Sequence, residues 1–83
     1  MSHQRDIRRI FDVLERITGT DRVRRDLDVD LFEQGLLDLL GMVELIPALS
    51  EAVSVDISPA KIERDQWATP RRIIVYLEQR TPA

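Results

Sequence analysis

Any chemistry in this chain has to come from carboxylates and a few hydroxyls, because cysteine is absent and the one histidine, His3, stands near the N-terminus. Without cysteine there is no thiolate nucleophile, no disulfide framework and no zinc-finger spacing. His3 has no partner of metal-ligand type nearby. Asp26, Asp28 and Asp30 alternate as the first ligands of a calcium loop do. The glycine and the distal glutamate that such a loop needs are not at the required positions, so no metal site is assigned. No glycine-rich phosphate loop is present either, and the inventory does not support an enzyme.

The carboxylates are distributed unevenly. Residues 26–60 hold eight acids (Asp26, Asp28, Asp30, Glu33, Asp38, Glu44, Glu51, Asp56) and neither Lys nor Arg, whereas the flanks carry seven acids and twelve bases. The middle is therefore −8 and the flanks +5, which the net charge of −3 conceals. Such segregation suits a basic protein partner and disfavours nucleic acid, whose phosphates the acidic middle would repel. A solvated acidic face explains the charge equally well.

The elements that must position these groups read as helices. The 83 residues suffice for one domain with a small core, expected to span 1–83. No apolar run approaches the roughly 20 residues of a membrane helix, and the N-terminus lacks the apolar stretch of a secretory signal, so a cytoplasmic, non-membrane-embedded protein is expected. Ile7, Ile10, Phe11, Leu14 and Ile17 form the stripe of an amphipathic helix over Asp6–Thr18, with Gly19 at its C-terminal end. Residues 20–37 show no sustained period and are read as a long loop whose apolar residues cap the bundle, with Gly35 at a turn. Asp38 is placed as the N-cap of a second helix over Leu39–Val53, which Pro47 is expected to kink. Ser58-Pro59 opens a short third helix over Ala60–Arg64, and Thr69-Pro70 opens a last one reaching Gln79, with Ile73, Ile74 and Leu77 inward. The predicted fold class is all-α: a small four-helix bundle of three longer helices and one short, with a long first loop.

The second helix carries the most informative surface. At 100° per residue, Met42, Leu45, Ile46, Leu49 and Val53 share one side, that of an ordinary core. Leu40, Val43 and Pro47 fall on another, beside Glu44 and Glu51. A short apolar strip rimmed by carboxylates fits an electrostatically steered protein contact. Single exposed apolar residues are also common without any such role.

The stretch Phe32-Glu33-Gln34-Gly35-Leu36-Leu37-Asp38-Leu39-Leu40-Gly41-Met42-Val43-Glu44-Leu45 resembles the signature of acyl carrier proteins. In that family the helix opens with Asp-Ser-Leu, and the serine hydroxyl receives 4′-phosphopantetheine at a helix N-terminus, whose free N–H groups and dipole favour a phosphodiester. Ile62-Glu63-Arg64-Asp65-Gln66-Trp67-Ala68-Thr69-Pro70-Arg71-Arg72-Ile73 narrows the likeness, being similar to the segment before the last helix of D-alanyl carrier proteins. The resemblance covers most of residues 7–77. It implies a four-helix carrier that takes D-alanine as a thioester from an ATP-dependent ligase after loading by a phosphopantetheinyl transferase. A downstream membrane-embedded machinery then transfers the cargo to envelope polymers such as teichoic acids. The carrier itself is expected to be monomeric.

One position departs. Where the family has serine this chain has Leu39, flanked by the motif residues Asp38, Leu40 and Gly41. Leucine offers no nucleophile, and Ser50, Ser54 and Ser58 do not follow the required Asp, so no cofactor is expected on this chain. Two explanations stay open: a replacement introduced into an ordinary Asp-Ser-Leu-Gly motif, or a natural carrier-like protein that works by binding alone. The alternatives in function are correspondingly a non-carrying helical module for a basic partner, or a carrier of another acyl or amino-acid cargo. Gly41 costs about 1 kcal/mol relative to Ala in a helix, for close approach of a partner or arm or for packing. Trp67 is expected in the core, and Arg64 with Asp65 in a local salt bridge.

Overall fold

The computed structural model describes residues 2–80, with side chains from residue 5 onward, so His3's surroundings lie outside the described residues. Among the described residues four helices form: α1 Ser2–Thr18, α2 Arg22–Arg25, α3 Leu39–Val53 and α4 Pro70–Glu78. Two 3-10 turns, Pro59–Lys61 and Arg64–Trp67, connect α3 to α4. No strand occurs among the described residues. The chain is an all-α bundle of three longer helices and one short.

α1 begins before the predicted Asp6 because polar residues at its start carry no apolar period to mark them. Its end is as expected: Gly19 takes φ +75°, and its N–H donates to Glu15 O at 2.8 Å. That left-handed residue satisfies a terminal carbonyl which a further helical turn would otherwise have bonded. The Thr18 hydroxyl donates to Leu14 O at 2.7 Å and closes the same end.

α2 interrupts what the sequence presents as loop. Four residues cannot form a stable helix alone. Tertiary contacts hold this one: Val23 is fully buried, and Arg24 bonds Asp12 and Glu15 of α1 while lying over the Phe11 ring. Beyond it, Val29 and Leu31 are buried and cap the bundle as predicted. Leu31 N–H donates to Ala68 O at 2.7 Å, and Arg71 N–H to Leu27 O at 3.0 Å. Asp28 accepts from Arg71 at 2.9 and 3.4 Å, tying the loop to the start of α4.

The core joins Ile10 and Leu14 of α1, Leu45 and Leu49 of α3, and Ile73 and Leu77 of α4, all essentially without exposure. α3 packs chiefly on α1, and α4 on the turn that carries Trp67. Trp67 is fully buried and meets Tyr76 edge to face, with centroids 5.4 Å apart at 64°. Its indole N–H has no hydrogen-bond partner among the described residues. The apolar area of the ring outweighs that orphan donor.

The predicted helix over Ala60–Arg64 is not formed. Ile62 is extended, with φ −83° and ψ 128°, and packs against the core between the two 3-10 turns. A continuous helix would carry Ile62 off that contact. Ser58, which the sequence places at the opening of that helix, makes no side-chain cap. Gln66 accepts from Glu63 N–H at 3.2 Å and starts the second turn instead. The expected Arg64–Asp65 pair does not form either, since Arg64 lies 4.7 Å over the Phe32 ring. Thr69 caps α4, accepting from Arg72 N–H at 3.1 Å, with Pro70 at the first helical position.

Candidate functional site

The start of α3 is held from both sides. Upstream, Asp30 Oδ1 accepts from Phe32 N–H at 3.1 Å and Glu33 N–H at 2.9 Å, starting a turn that Gly35 continues at φ +69°. Leu36 and Leu37 N–H groups both donate to Leu31 O at 2.9 Å. Leu37, buried, anchors the turn in the core. Asp38 follows as N-cap in extended backbone, and its Oδ1 accepts from Gly41 N–H at 2.7 Å. The first turn of α3 is therefore fixed in space by residues other than Leu39.

Gly41 has a packing reason. A Cβ there would lie 2.9 Å from Leu37 Cδ1 and 3.3 Å from Asp38 Oδ1. The glycine lets the anchor and the cap sit against the same turn of helix.

α3 then runs unbroken through Pro47 to Val53. Its core side is as read from the sequence: Leu45, Leu49 and Val53 are buried, and Met42 and Ile46 pack partly against them. The opposite side is exposed and apolar over its first turns: Leu39 is 82% exposed, Leu40 70% and Val43 62%, with Pro47 exposed beyond them. Around the helix the order is Leu39, Val43, Pro47, Leu40, then Glu51 and Glu44, at 100° per residue. The apolar part of this arc points to the α3–α4 connection and the acidic edge towards α1.

Leu39 and Val43 border an open groove of about 610 Å³. Leu37, Asp38, Met42 and Ile46 line its α3 wall; Phe32, Pro59, Ile62 and Arg64 line the other. Of the residues expected at an interface, Leu40, Glu44 and Pro47 lie on the crest of α3 outside this groove. Glu51 borders a separate shallow hollow with Arg9 and Arg16 of α1. The far wall escaped sequence reasoning, because Phe32, Pro59 and Ile62 meet α3 only through the fold. Their one sequence signal was that Phe32 and Ile62 stand in the two motifs.

Hydroxyls are scarce near this site. Residue 39 is leucine, and residues 21–49 contain neither serine nor threonine. Ser50 spends its hydroxyl on Val55 O at the far end of α3. No group of three or more His, Cys, Asp or Glu side chains among the described residues is placed to hold a metal.

A small all-α bundle that presents a rigid, capped helix start to solvent is the architecture of a carrier domain. The comparisons agree: residues 8–77 match the family described as "Phosphopantetheine attachment site". The chain is 40% identical over 72 residues to the D-alanyl carrier protein of Lactococcus lactis subsp. cremoris (strain MG1363), covering 87% of this chain and 91% of that protein. It is 41% identical over 70 residues to the D-alanyl carrier protein of Lacticaseibacillus rhamnosus, covering 84% and 86%. The like-named protein of Bacillus mycoides (strain KBAB4) is 39% identical over 70 residues, covering 84% and 89%. This chain belongs to the phosphopantetheine-attachment family of carrier proteins. It is a carrier-type protein and not an enzyme.

Proposed function

We propose that this chain is a D-alanyl-type carrier that docks with the enzymes of its system but stays in the apo form. The observation that carries this reading is the start of α3. Its anchor Leu37, cap Asp38 and close-packed Gly41 hold the helix in a presenting position, and the next residue after the cap is a leucine. The family implies 4′-phosphopantetheine, a flexible arm whose thiol holds the cargo. Leu39 does not fit that group, because a hydrocarbon side chain cannot form a phosphodiester.

What the chain's own residues do is bind and orient. The strip Leu40, Val43 and Pro47, with Glu44 and Glu51 at its edge, would meet an apolar partner surface edged by Lys and Arg. By resemblance the partners are a D-alanine ligase, a phosphopantetheinyl transferase and the acyl-transfer machinery downstream. The protein would act as a monomeric domain in the cytoplasm, where ATP and coenzyme A are at hand. No helix among the described residues is long and apolar enough to cross a membrane.

Intact mass after incubation with a phosphopantetheinyl transferase and coenzyme A tests the reading. This chain should keep its mass, and its Leu39→Ser version should gain one phosphopantetheine. Modification of any residue in the unaltered chain would overturn the apo assignment. A folded Leu39→Ser protein that gains nothing would overturn the carrier reading.

A further inference from the structure

We propose that Leu39 is itself a docking group, and that this chain occupies the carrier-binding face of its ligase and withholds it from loadable carriers. The inference rests on the carrier reading above and extends it to regulation at the same site.

The fold gives Leu39 nothing to do. Anchor, cap and helix-packing glycine are supplied by Leu37, Asp38 and Gly41, and the side chain of residue 39 stands 82% exposed. Among the described residues four large hydrophobics are exposed, and three of them, Leu39, Leu40 and Val43, fall within five positions at the start of α3. A contiguous apolar patch with polar surroundings marks a contact surface rather than scatter. The groove beside it, with Phe32 and Ile62 on its far wall, extends the apolar area a partner can cover.

Charge selects the occupant. Asp38 and Glu44 flank the patch within a segment, residues 26–60, that contains no Lys or Arg. The one basic group on the groove, Arg64, lies on the far wall over Phe32. The partner surface is therefore an apolar hollow edged by Lys or Arg on the α3 side. On the carrier reading the occupant is an enzyme that acts on carriers, because the attachment position at this helix start is what such an enzyme must reach. A second copy of this chain pairing α3 to α3 would instead bring Glu44 and Glu51 against their own kind.

The residue at the attachment position lies under the partner in any such complex. With an arm attached, the complex turns over. With leucine there, the same face is buried and no product can form, so the complex is a dead end. Burying a largely exposed leucine is worth roughly tenfold or more in affinity.

The test follows ATP-dependent D-alanyl loading of the phosphopantetheinylated Leu39→Ser protein by the D-alanine ligase of the same organism, with the unaltered chain added as competitor. The expected result is a rise in apparent KM at constant kcat, with half-inhibition near or below the KM of the phosphopantetheinylated substrate. Leu39→Gln, similar in size and a good helix former, should inhibit about tenfold less well at an unchanged melting temperature. No inhibition at concentrations well above KM, or equal inhibition by Leu39→Gln, overturns the inference and leaves the carrier reading intact. A Leu39→Ser protein that the transferase never modifies overturns the carrier reading and the inference together.

Discussion

Two leucines six residues apart on α3 should respond to truncation to very different degrees. Leu39 is 82% exposed at the first helical position, so less than a fifth of its side chain leaves water on folding. Full burial of a leucine is worth about 1.5–3 kcal/mol, which scales here to a few tenths. The lower helix propensity of serine adds about half a kcal/mol at most. Leu39→Ser should therefore cost less than about 1 kcal/mol, a shift of at most ~8 °C in a domain this small. Leu45 has no exposed surface, and Leu45→Ala should cost about 2–5 kcal/mol, a large part of the total stability of such a chain. Far-UV circular dichroism melts of the two variants beside the parent measure both. If Leu39→Ser fell as far as Leu45→Ala, Leu39 would be core, α3 would begin elsewhere, and the docking argument would fail with it.

Further outcomes follow from the same geometry. Gly41→Ala should not give the ~1 kcal/mol gain usual for this exchange in a helix, because the new methyl meets Leu37 at 2.9 Å; a stabilised variant in urea denaturation would contradict the packing role. The hydrogen bond from Arg71 holds the Asp28 carboxyl below the usual carboxylate range, so its contribution is present above the unfolded value and is lost as pH falls through the lower folded one. Asp28→Asn should thus lower stability slightly at neutral pH and low salt, with the difference gone in strong acid; a difference that persists there would contradict the assignment. Glu44→Lys and Glu51→Lys should slow association with the ligase in stopped-flow or surface measurements, with the loss shrinking at high salt. Glu44 should matter more, since Glu51 borders a hollow it shares with the positive charges of Arg9 and Arg16. Unchanged association at low salt for both would remove the acidic edge from the interface.

What the sequence revealed follows the physical range of each signal. The stripe of α1, the cap Asp38 and the Thr69-Pro70 start of α4 are local patterns of one to four turns, and all three stand in the structure. α2 was hidden because Arg22–Arg25 is too short to show a period and is held by carboxylates of α1. The helix expected over Ala60–Arg64 fails for the opposite reason. Ser58-Pro59 is a strong local helix signal, but Ile62, extended and packed partly against the core, separates two 3-10 turns. Arg64 and Asp65 are adjacent in sequence, which suggested a pair; Phe32, more than thirty positions away, takes the guanidinium instead. The crest of α3 was legible from helical spacing alone. The groove was not, because its two walls come from distant segments and only the fold sets them face to face.

The same division of labour explains how a carrier fold can part with its cargo site at little structural cost. Four residues at the start of α3, Leu37, Asp38, Leu39 and Gly41, divide the work unequally. Leu37 holds the segment in the core, Asp38 accepts from the free N–H of Gly41, and Gly41 itself makes room for both. Residue 39 takes part in none of these, and its side chain stands 82% exposed at the border of the groove. Solvent exposure there is what attachment chemistry requires, since an enzyme must reach the group it modifies. That exposure also frees the position from the packing constraints that hold its neighbours. A change at 39 therefore alters what the helix start can be joined to while leaving its place in the fold and the shape of the face around it unchanged. On the reading proposed above, a leucine at position 39 would separate docking from loading and add apolar area to the docking face.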